Sequence, residues 1–277
     1  MQKILLVFSL FLGFSSCANS EEPKNPIVQE PVVKEGRTIK VLSYNIHHCN
    51  PPSRPDFIDL DAIARVITES GAEIVGLQEV DVFTSRSGTD LNMAKELAQM
   101  SGMPYYYFSK GIDYQGGEYG TAILSKFPLS DKETILLPAE EGTEQRTISV
   151  VTVSLEDGLS YKFANTHLDY SSASNALTQA EKIVDYFDGD TSPVILVGDF
   201  NSVPGSAPIL KLDGRFTRTC KNDCAPTIPV INPTKTIDFI MFSSETDFTV
   251  NSHRVVQETY ASDHLPVVAE LILLKQK

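Results

Sequence analysis

The chain has 277 residues, 42% of them hydrophobic, with 16 glycines, 16 prolines, no tryptophan and a formal net charge of −13. That length suits one large domain or two small ones; the apolar content excludes wholesale disorder, and the scattered Gly and Pro exclude a fibrous protein. No run of about 18 apolar residues is present to span a membrane, and the acidic balance argues against a strong non-specific binder of nucleic acid.

Lys3, the apolar run Ile4 to Phe14 and then Ser15-Ser16-Cys17 have the layout of an export signal. The small residues before Cys17 resemble a bacterial lipoprotein box, in which the cysteine takes a lipid and begins the mature chain. A core helix would instead carry polar positions along one face. Residues 18–36 contain Pro23, Pro26 and Pro31 with four Glu and two Lys, which predicts a flexible tether. The expected organisation is therefore a signal peptide at 1–16, a tether at 17–36 and one mixed α/β domain at 37–277. The location implied is the cell envelope, with a lipid anchor at the outer membrane, periplasmic or surface-exposed.

From Arg37 onward the pattern alternates strands and helices. Thr38–Tyr44 is an apolar β-type run, and Leu60–Ser70 has apolar residues at helical spacing behind the N-cap candidate Asp59. Glu73–Val80 predicts a strand and Leu91–Met100 a helix capped by Asp90. Short strands follow at Tyr105–Phe108, Thr121–Ser125, Thr147–Leu155 and Ser160–Thr166. The last two are joined by Glu156-Asp157-Gly158-Leu159, a hairpin signal. A helix over Ala173–Phe187 precedes the apolar strand Pro193–Val197, and further strands fit Thr236–Phe242, Phe248–Asn251 and Val267–Leu274. Hairpins mixed with crossover helices predict two packed sheets with helices outside them. Cys220 and Cys224 can close a small disulfide or form half of a zinc site, with Cys49 left over.

Polar residues cluster where these apolar strands end. Six such junctions occur: Ser43-Tyr44-Asn45, Leu77-Gln78-Glu79, Asn165-Thr166-His167-Leu168-Asp169, Gly198-Asp199-Phe200-Asn201, Ile237-Asp238-Phe239 and Ser262-Asp263-His264. A single Asp after a strand is ordinarily a turn former or cap, and Asp169 fits that reading. Six junctions together call for a common cause, since strand ends in α/β folds converge on ligands. Hard oxygen ligands without a cysteine cluster favour Mg²⁺, Mn²⁺ or Ca²⁺ over zinc. Two histidines beside carboxylates suit acid–base work at a phosphoryl group.

The ordered set SYNIH, LQEVD, GGEYGTAILSKFP, NTHLD, VGDFN, TIDFIMF and SDHLPV resembles the endonuclease/exonuclease/phosphatase superfamily, across essentially all of residues 38–274. The resemblance implies a deoxyribonuclease I-like four-layer α/β sandwich, two packed mixed sheets flanked by helices, and divalent-metal-dependent cleavage of a phosphoester. By the same resemblance Glu79 is the main metal ligand with Asn45 beside it, and Asp238 and Asp263 add metal-site carboxylates. Asp199 and Asn201 orient water and phosphate. Asp263 and His264 form a terminal dyad in which the carboxylate holds the imidazole in one tautomer. His167 protonates the leaving oxygen and Glu118 pairs with it; a histidine here also counts against the branch acting at abasic sites. Either Asp199 or the dyad activates the water.

Other residues keep two readings. Arg86 and Arg146 are phosphate clamps or loop-fixing salt bridges. His47 and His48 follow Asn45; either one of them faces the cleft or both are at the surface, and surface placement is the expected reading. The loops Asp113–Gly117 and Lys221–Pro233 are expected to decide the substrate, and neither is basic. A small-molecule or lipid-headgroup phosphoester is therefore the expected substrate of a monomeric enzyme whose only membrane contact is the anchor at Cys17. The alternatives are an extracellular nuclease and a non-catalytic surface binding module, the latter opposed by a site set with no member missing.

Overall fold

Alternation along the first strand, Gly36–Asn45 (β1), decides the layering. Ile39 and Val41 enter one buried cluster, while Leu42 and Tyr44 enter another on the opposite face. The chain continues through a short 3-10 turn at His47–Cys49, helix Leu60–Ser70 (α1), strand Ile74–Val82 (β2), helix Met93–Met100 (α2) and strands Tyr105–Tyr114 (β3), Gly117–Ser125 (β4), Leu129–Leu136 (β5), Thr147–Ser154 (β6) and Ser160–His167 (β7). Helix Ala173–Tyr186 (α3), strand Val194–Asp199 (β8), helix Ala207–Asp213 (α4) and strands Thr217–Arg218 (β9), Asp238–Phe242 (β10), Phe248–Val255 (β11) and Val267–Leu274 (β12) complete it. The structure, a computed structural model, describes residues 36–243 and 246–274. The signal-peptide and tether expectations lie outside the described residues, apart from Gly36. No helix of the described residues is long and apolar enough to cross a membrane.

Two six-stranded mixed sheets result, in the orders β11-β12-β1-β2-β4-β3 and β5-β6-β7-β8-β10-β9. Between them lies a core that includes Ile39, Val41, Ile74, Ile123, Phe163, Ile195, Val197, Ile240 and Phe242. The outer face of the first sheet packs on α1 and α2 through residues such as Ile63, Ile67 and Leu97. The outer face of the second packs on α3 and α4 through Ala180, Ile183, Ile209 and Leu212. This is the expected four-layer sandwich of two mixed sheets flanked by helices.

Helix α1 starts as expected, with Asp59 Oδ1 accepting from the Ala62 amide at 2.9 Å. Helix α2 differs: its cap is Asn92, which accepts from the Lys95 amide at 3.0 Å, so Asp90 stays in the preceding turn. Strand β5 carries no sequence signal because it is a mostly exposed, charge-bearing edge. Helix α4 is too short for its apolar spacing to stand out. The hinge between β3 and β4 closes tightly, Tyr114 pairing with Gly117, so the expected Asp113–Gly117 loop is a hairpin tip. Cys220 and Cys224 are disulfide-bonded and Cys49 is a buried free thiol.

Toward one end of the sandwich the core turns polar. Asn165 on β7 donates from Nδ2 to the carbonyls of Leu77 and Ala122 in the facing sheet, both at 2.9 Å, and accepts from Gln78 Nε2 at 2.7 Å. The sheets approach closely here: a Cβ on Gly76 would lie 2.3 Å from Val197 Cγ2. Asn165→Ala removes a buried partner from three groups at once. We expect a loss of about 2–4 kcal/mol, read from urea unfolding, because a buried polar group left unpaired carries its full desolvation cost. A change under about 0.5 kcal/mol would show that the sheets do not depend on this tie.

Candidate active site

The candidate site is the continuation of the core by one more step of the strand period. Ile195 and Val197 face inward on β8, and the next inward position is Asp199. Phe163 and Asn165 lead likewise to His167 on β7, Phe242 and Ile240 to Asp238 on β10, and Ile39 and Val41 through Ser43 to Asn45 on β1. Register then aligns them, since Asp199 pairs with His167 on one side and with Asp238 on the other. Glu79 needs a different device. Between Leu77 and Val80 the β2–β4 register slips, and Glu79 takes a left-handed φ of 59°. This bulge lets Glu79 as well as Gln78 meet residues of the inter-sheet face.

One oxygen gathers the groups. Asp199 Oδ2 accepts from Asn45 Nδ2 at 3.0 Å and lies 3.5 Å from His167 Nε2 and 3.7 Å from His264 Nε2. Oδ1 accepts from the Asn201 amide at 2.9 Å. Burial and the neighbouring Asp238 push the Asp199 carboxyl up to about 7, against the opposing pull of His264. Burial works to lower the His264 imidazole, but Asp238 and Asp199 overcome it and raise the ring to about 10. His264 is therefore a cation at neutral pH. Burial and the Arg146 guanidinium both drive His167 well below the ordinary histidine value, so it is neutral. At Glu79 burial acts upward, yet His48 and Asn45 outweigh it and hold the carboxyl below the usual range.

Several site expectations need correction. His264 does not pair with Asp263: its Nδ1 lies 3.0 Å from Asp238 Oδ2, which also accepts from Thr227 Oγ1 at 2.5 Å. Asp263 instead accepts from Ser262 Oγ at 3.4 Å. The side chain pointing into the sandwich from β10 reaches the ring, whereas the sequence neighbour does not. Glu118 does not back His167 either; it lies 3.2 Å from Lys110 Nζ, and Arg146 Nη1 occupies the place at His167 Nδ1, 2.9 Å away. Arg86 realises its salt-bridge reading, with Nε and Nη2 donating to the buried Asp81 at 2.7 and 2.8 Å. Arg146 is buried against Glu144 at 3.1 Å. His48 is not a surface residue: its Nδ1 lies 4.0 Å from Glu79 Oε2, with the ring largely buried. Asp169 caps the turn into α3 by accepting from the amides of Ser171 and Ser172, as expected. Asn201 holds Asp199 through its amide and donates its side chain to the Leu168 carbonyl at 3.0 Å.

The structure also adds residues to which the sequence assigns no role. Asn165 and Gln78 sit within the six junctions, and their place on the inward period is the signal that could single them out. Thr227 and Glu144 lie in loops, where no periodicity marks them.

The set can hold a divalent cation. Asn45 Nδ2 bridges Glu79 Oε1 and Asp199 Oδ2, each at 3.0 Å, so two carboxylates meet with only amide hydrogens between them. Ligand atoms of Asp199, Asp238 and His264 also lie within 4.8 Å of one another, although a protonated His264 has no lone pair to give. Oxygen donors dominate both sets, which suits a hard ion.

A family model described as Endonuclease/Exonuclease/phosphatase family matches residues 42–264. Among solved structures, the chain is similar to an endonuclease/exonuclease/phosphatase from Beutenbergia cavernae DSM 12333, at 23% identity and TM-score 0.71, covering 86% of this chain and 72% of that one. It is also similar to a family protein of the same description from Bacteroides thetaiotaomicron, at 20% identity and TM-score 0.72, covering 86% and 99%. A third is a mannosyl-6-phosphatase from Bacteroides thetaiotaomicron VPI-5482, at 22% identity and TM-score 0.71, covering 85% and 100%. At these identities the likeness is one of fold. No curated protein matches the chain.

The charge assignment of His264 has a direct check. Its folded-state value is raised, so its contribution to stability is complete below about 6.5 and is lost as pH rises through about 10. Asp238→Asn removes the larger of the two charges that raise the ring and leaves Asp199 alone against burial. We expect the His264 ring to stay protonated through pH 8 in the parent protein and to titrate well below the parent value in the variant, followed by imidazole NMR. A parent ring that titrates near 6.5 would refute the assignment.

Proposed function

We propose that this chain, which belongs to the Endonuclease/Exonuclease/phosphatase family, is a divalent-metal-dependent hydrolase that cleaves a small or headgroup-type phosphoester by in-line attack of water. The observation that carries this reading is the convergence of Asn45, His167 and His264 on Asp199 Oδ2, in a carboxyl that burial and Asp238 push up to about 7. Glu79, with Asn45 beside it, would hold a Mg²⁺ or Mn²⁺ ion, which would supply Lewis-acid polarisation of a phosphoryl oxygen and offset the charge that develops there.

The remaining work falls to the chain's own groups. Asp199 is the group able to take a proton from water near neutral pH, because a base is most effective when its pKa lies close to the working pH. His264 already holds its proton and so acts as a fixed positive charge toward the phosphoryl oxygens, anchored by Asp238. His167 faces the same oxygen as a neutral ring. Asn201 fixes the Asp199 carboxyl through its amide, so rotation of the base is resisted.

The rim supports a small substrate. A polyanionic polymer is tracked by unpaired Lys and Arg, but three cations are matched to carboxylates: Arg86 to Asp81, Arg146 to Glu144, and Lys110 to Asp113 and Glu118. Apolar side chains are exposed on several loops beyond the site strands instead, among them Phe57, Phe83 and Tyr170. A structural neighbour described as a mannosyl-6-phosphatase is in keeping with this preference. Our reading of localisation is a monomer held at the cell envelope by lipid on Cys17.

We expect Mg²⁺ or Mn²⁺ to raise the melting temperature of EDTA-treated protein, and Glu79→Gln to abolish most of that shift, since a ligand specific for the native state stabilises it. Asp199→Asn should lower kcat by about 10²–10⁴-fold with the fold intact. A panel of sugar phosphates, inositol phosphates, sphingomyelin, bis-p-nitrophenyl phosphate and DNA should show turnover of small esters and little of DNA. Full activity in EDTA would overturn the metal reading, and preferential cleavage of DNA the substrate reading. For the anchor, label from a fatty acid should reach the parent protein but not Cys17→Ser; equal recovery of both in the soluble fraction would contradict it.

A further inference from the structure

The two histidines of the site are backed by opposite charges. Behind His264 stands the Asp238 carboxylate, 3.0 Å from Nδ1. Behind His167 stands Arg146, its Nη1 2.9 Å from the corresponding nitrogen. We infer that Arg146 is a positioning residue that fixes His167 in the tautomer with hydrogen on Nε2, so that this histidine serves the cleft only as a hydrogen-bond donor.

The inference follows from donor and acceptor inventories. A guanidinium has five N–H donors and no acceptor, so the nitrogen it meets at 2.9 Å must offer a lone pair. A neutral imidazole with a lone pair on Nδ1 carries its single hydrogen on Nε2. That nitrogen is the one aimed at Asp199 Oδ2, 3.5 Å away. A second proton on the ring would place N–H against N–H at Nδ1, next to a positive charge.

Arg146 is built in place rather than offered to solvent. Its side chain is 6% exposed, and Glu144 Oε1 meets the same Nη1 at 3.1 Å. The backbone on either side is pinned: Gln145 Nε2 donates to the Leu137 carbonyl at 2.6 Å and to the Arg146 carbonyl at 2.8 Å, while the Leu137 amide also donates to the Arg146 carbonyl at 2.9 Å. Arg146 Nε is buried without a protein partner. The cavity that Arg146 borders together with His167, Tyr119 and Thr147 measures about 10 Å³, which is room for about one water and not for a phosphoryl group.

The consequence concerns the leaving group. A neutral ring locked as a donor can steady negative charge on a non-bridging phosphoryl oxygen, and the guanidinium behind it strengthens that bond. It has no second proton to release. Loss of the donor should then slow alkyl and aryl phosphoesters alike, whereas a general acid would matter most for the poorer leaving group.

Nitrogen-15 NMR of histidine-labelled, metal-free protein at pH 7, with the His167 ring assigned by its absence in His167→Gln, tests the tautomer directly. We expect Nδ1 in the unprotonated range and Nε2 in the protonated range. Arg146→Met should let the tautomers mix and lower kcat about 10²-fold, equally on an alkyl and a p-nitrophenyl ester, with KM within about threefold of the parent. Arg146→Lys, which also can only donate, should restore the Nε2–H form and most of kcat. A protonated Nδ1 in the parent, an unchanged tautomer in Arg146→Met, or a rise in KM with kcat intact would each overturn the inference. Should Arg146→Met fail to fold, the parent spectrum and Arg146→Lys still decide. The kinetic arm rests on the phosphoesterase reading, whereas the spectra do not; the expected tautomer without activity on any ester would therefore count against that reading alone.

Discussion

Two carboxyl groups, Asp199 and Asp238, lie directly opposite each other on β8 and β10 and are both almost wholly buried. Placing them there is unfavourable, because burial penalises each charge and proximity penalises the second. The site is arranged around relieving that cost. His264 takes a proton and stands between them as a cation. Asn45 and the Asn201 amide donate to Asp199, and Thr227 donates to Asp238. Even so, Asp199 is left pushed up to about 7. On the proposed reading, this residual stress is what would let the carboxyl act as a base, since an ordinary aspartate would be a much weaker one at neutral pH.

That arrangement depends on two sheets meeting in one way. Asp199, Asp238 and His167 belong to one sheet, whereas Asn45 and Glu79 belong to the other, so their contacts are interlayer contacts. The core beneath passes from aliphatic to hydrogen-bonded: Ile and Val fill its middle, then Asn165 and Gln78 tie the layers, then the carboxylates follow. Hydrophobic packing alone would allow the sheets to slide. The directional bonds of Asn165, with the close approach at Gly76, fix the offset on which the site distances depend.

The strand period of two makes much of this site legible in the amino-acid sequence. A run such as Pro193–Val197 followed by Gly198-Asp199 places an aspartate on the inward face, and the same step marks Asn45, His167 and Asp238. The Asp59 cap and the bounds of α1 and β12 are equally legible, being set by local hydrogen bonding and alternation. What stays hidden is long-range. Nothing local shows that the bulge at Glu79 turns it toward Asn45, or that His264 meets Asp238, 26 positions away, in place of adjacent Asp263. Arg86 and Arg146 differ from phosphate clamps only through buried partners, which sequence spacing does not reveal. Strand β5 is concealed by exposure, since an edge strand buries too little to impose a pattern.

The protein's strong acidity and its reading as an enzyme for anionic esters are compatible because charge is managed locally. Its net charge of −13 works against long-range attraction of a phosphate. Within the site, however, His264 is positive, and on the proposed reading a divalent ion beside the Glu79 carboxylate would add to it, so the field felt by a bound phosphoryl group is reversed over a few ångströms. Such a field is short-ranged, because nearby carboxylates oppose it and Arg86, Lys110 and Arg146 are already paired. Binding must then come from contacts made inside the cleft, not from capture at a distance. On the proposed reading that favours an ester with a compact, largely neutral remainder, whose single phosphoryl group is desolvated on entry, over a polymer whose successive phosphates would each need a cation to track them.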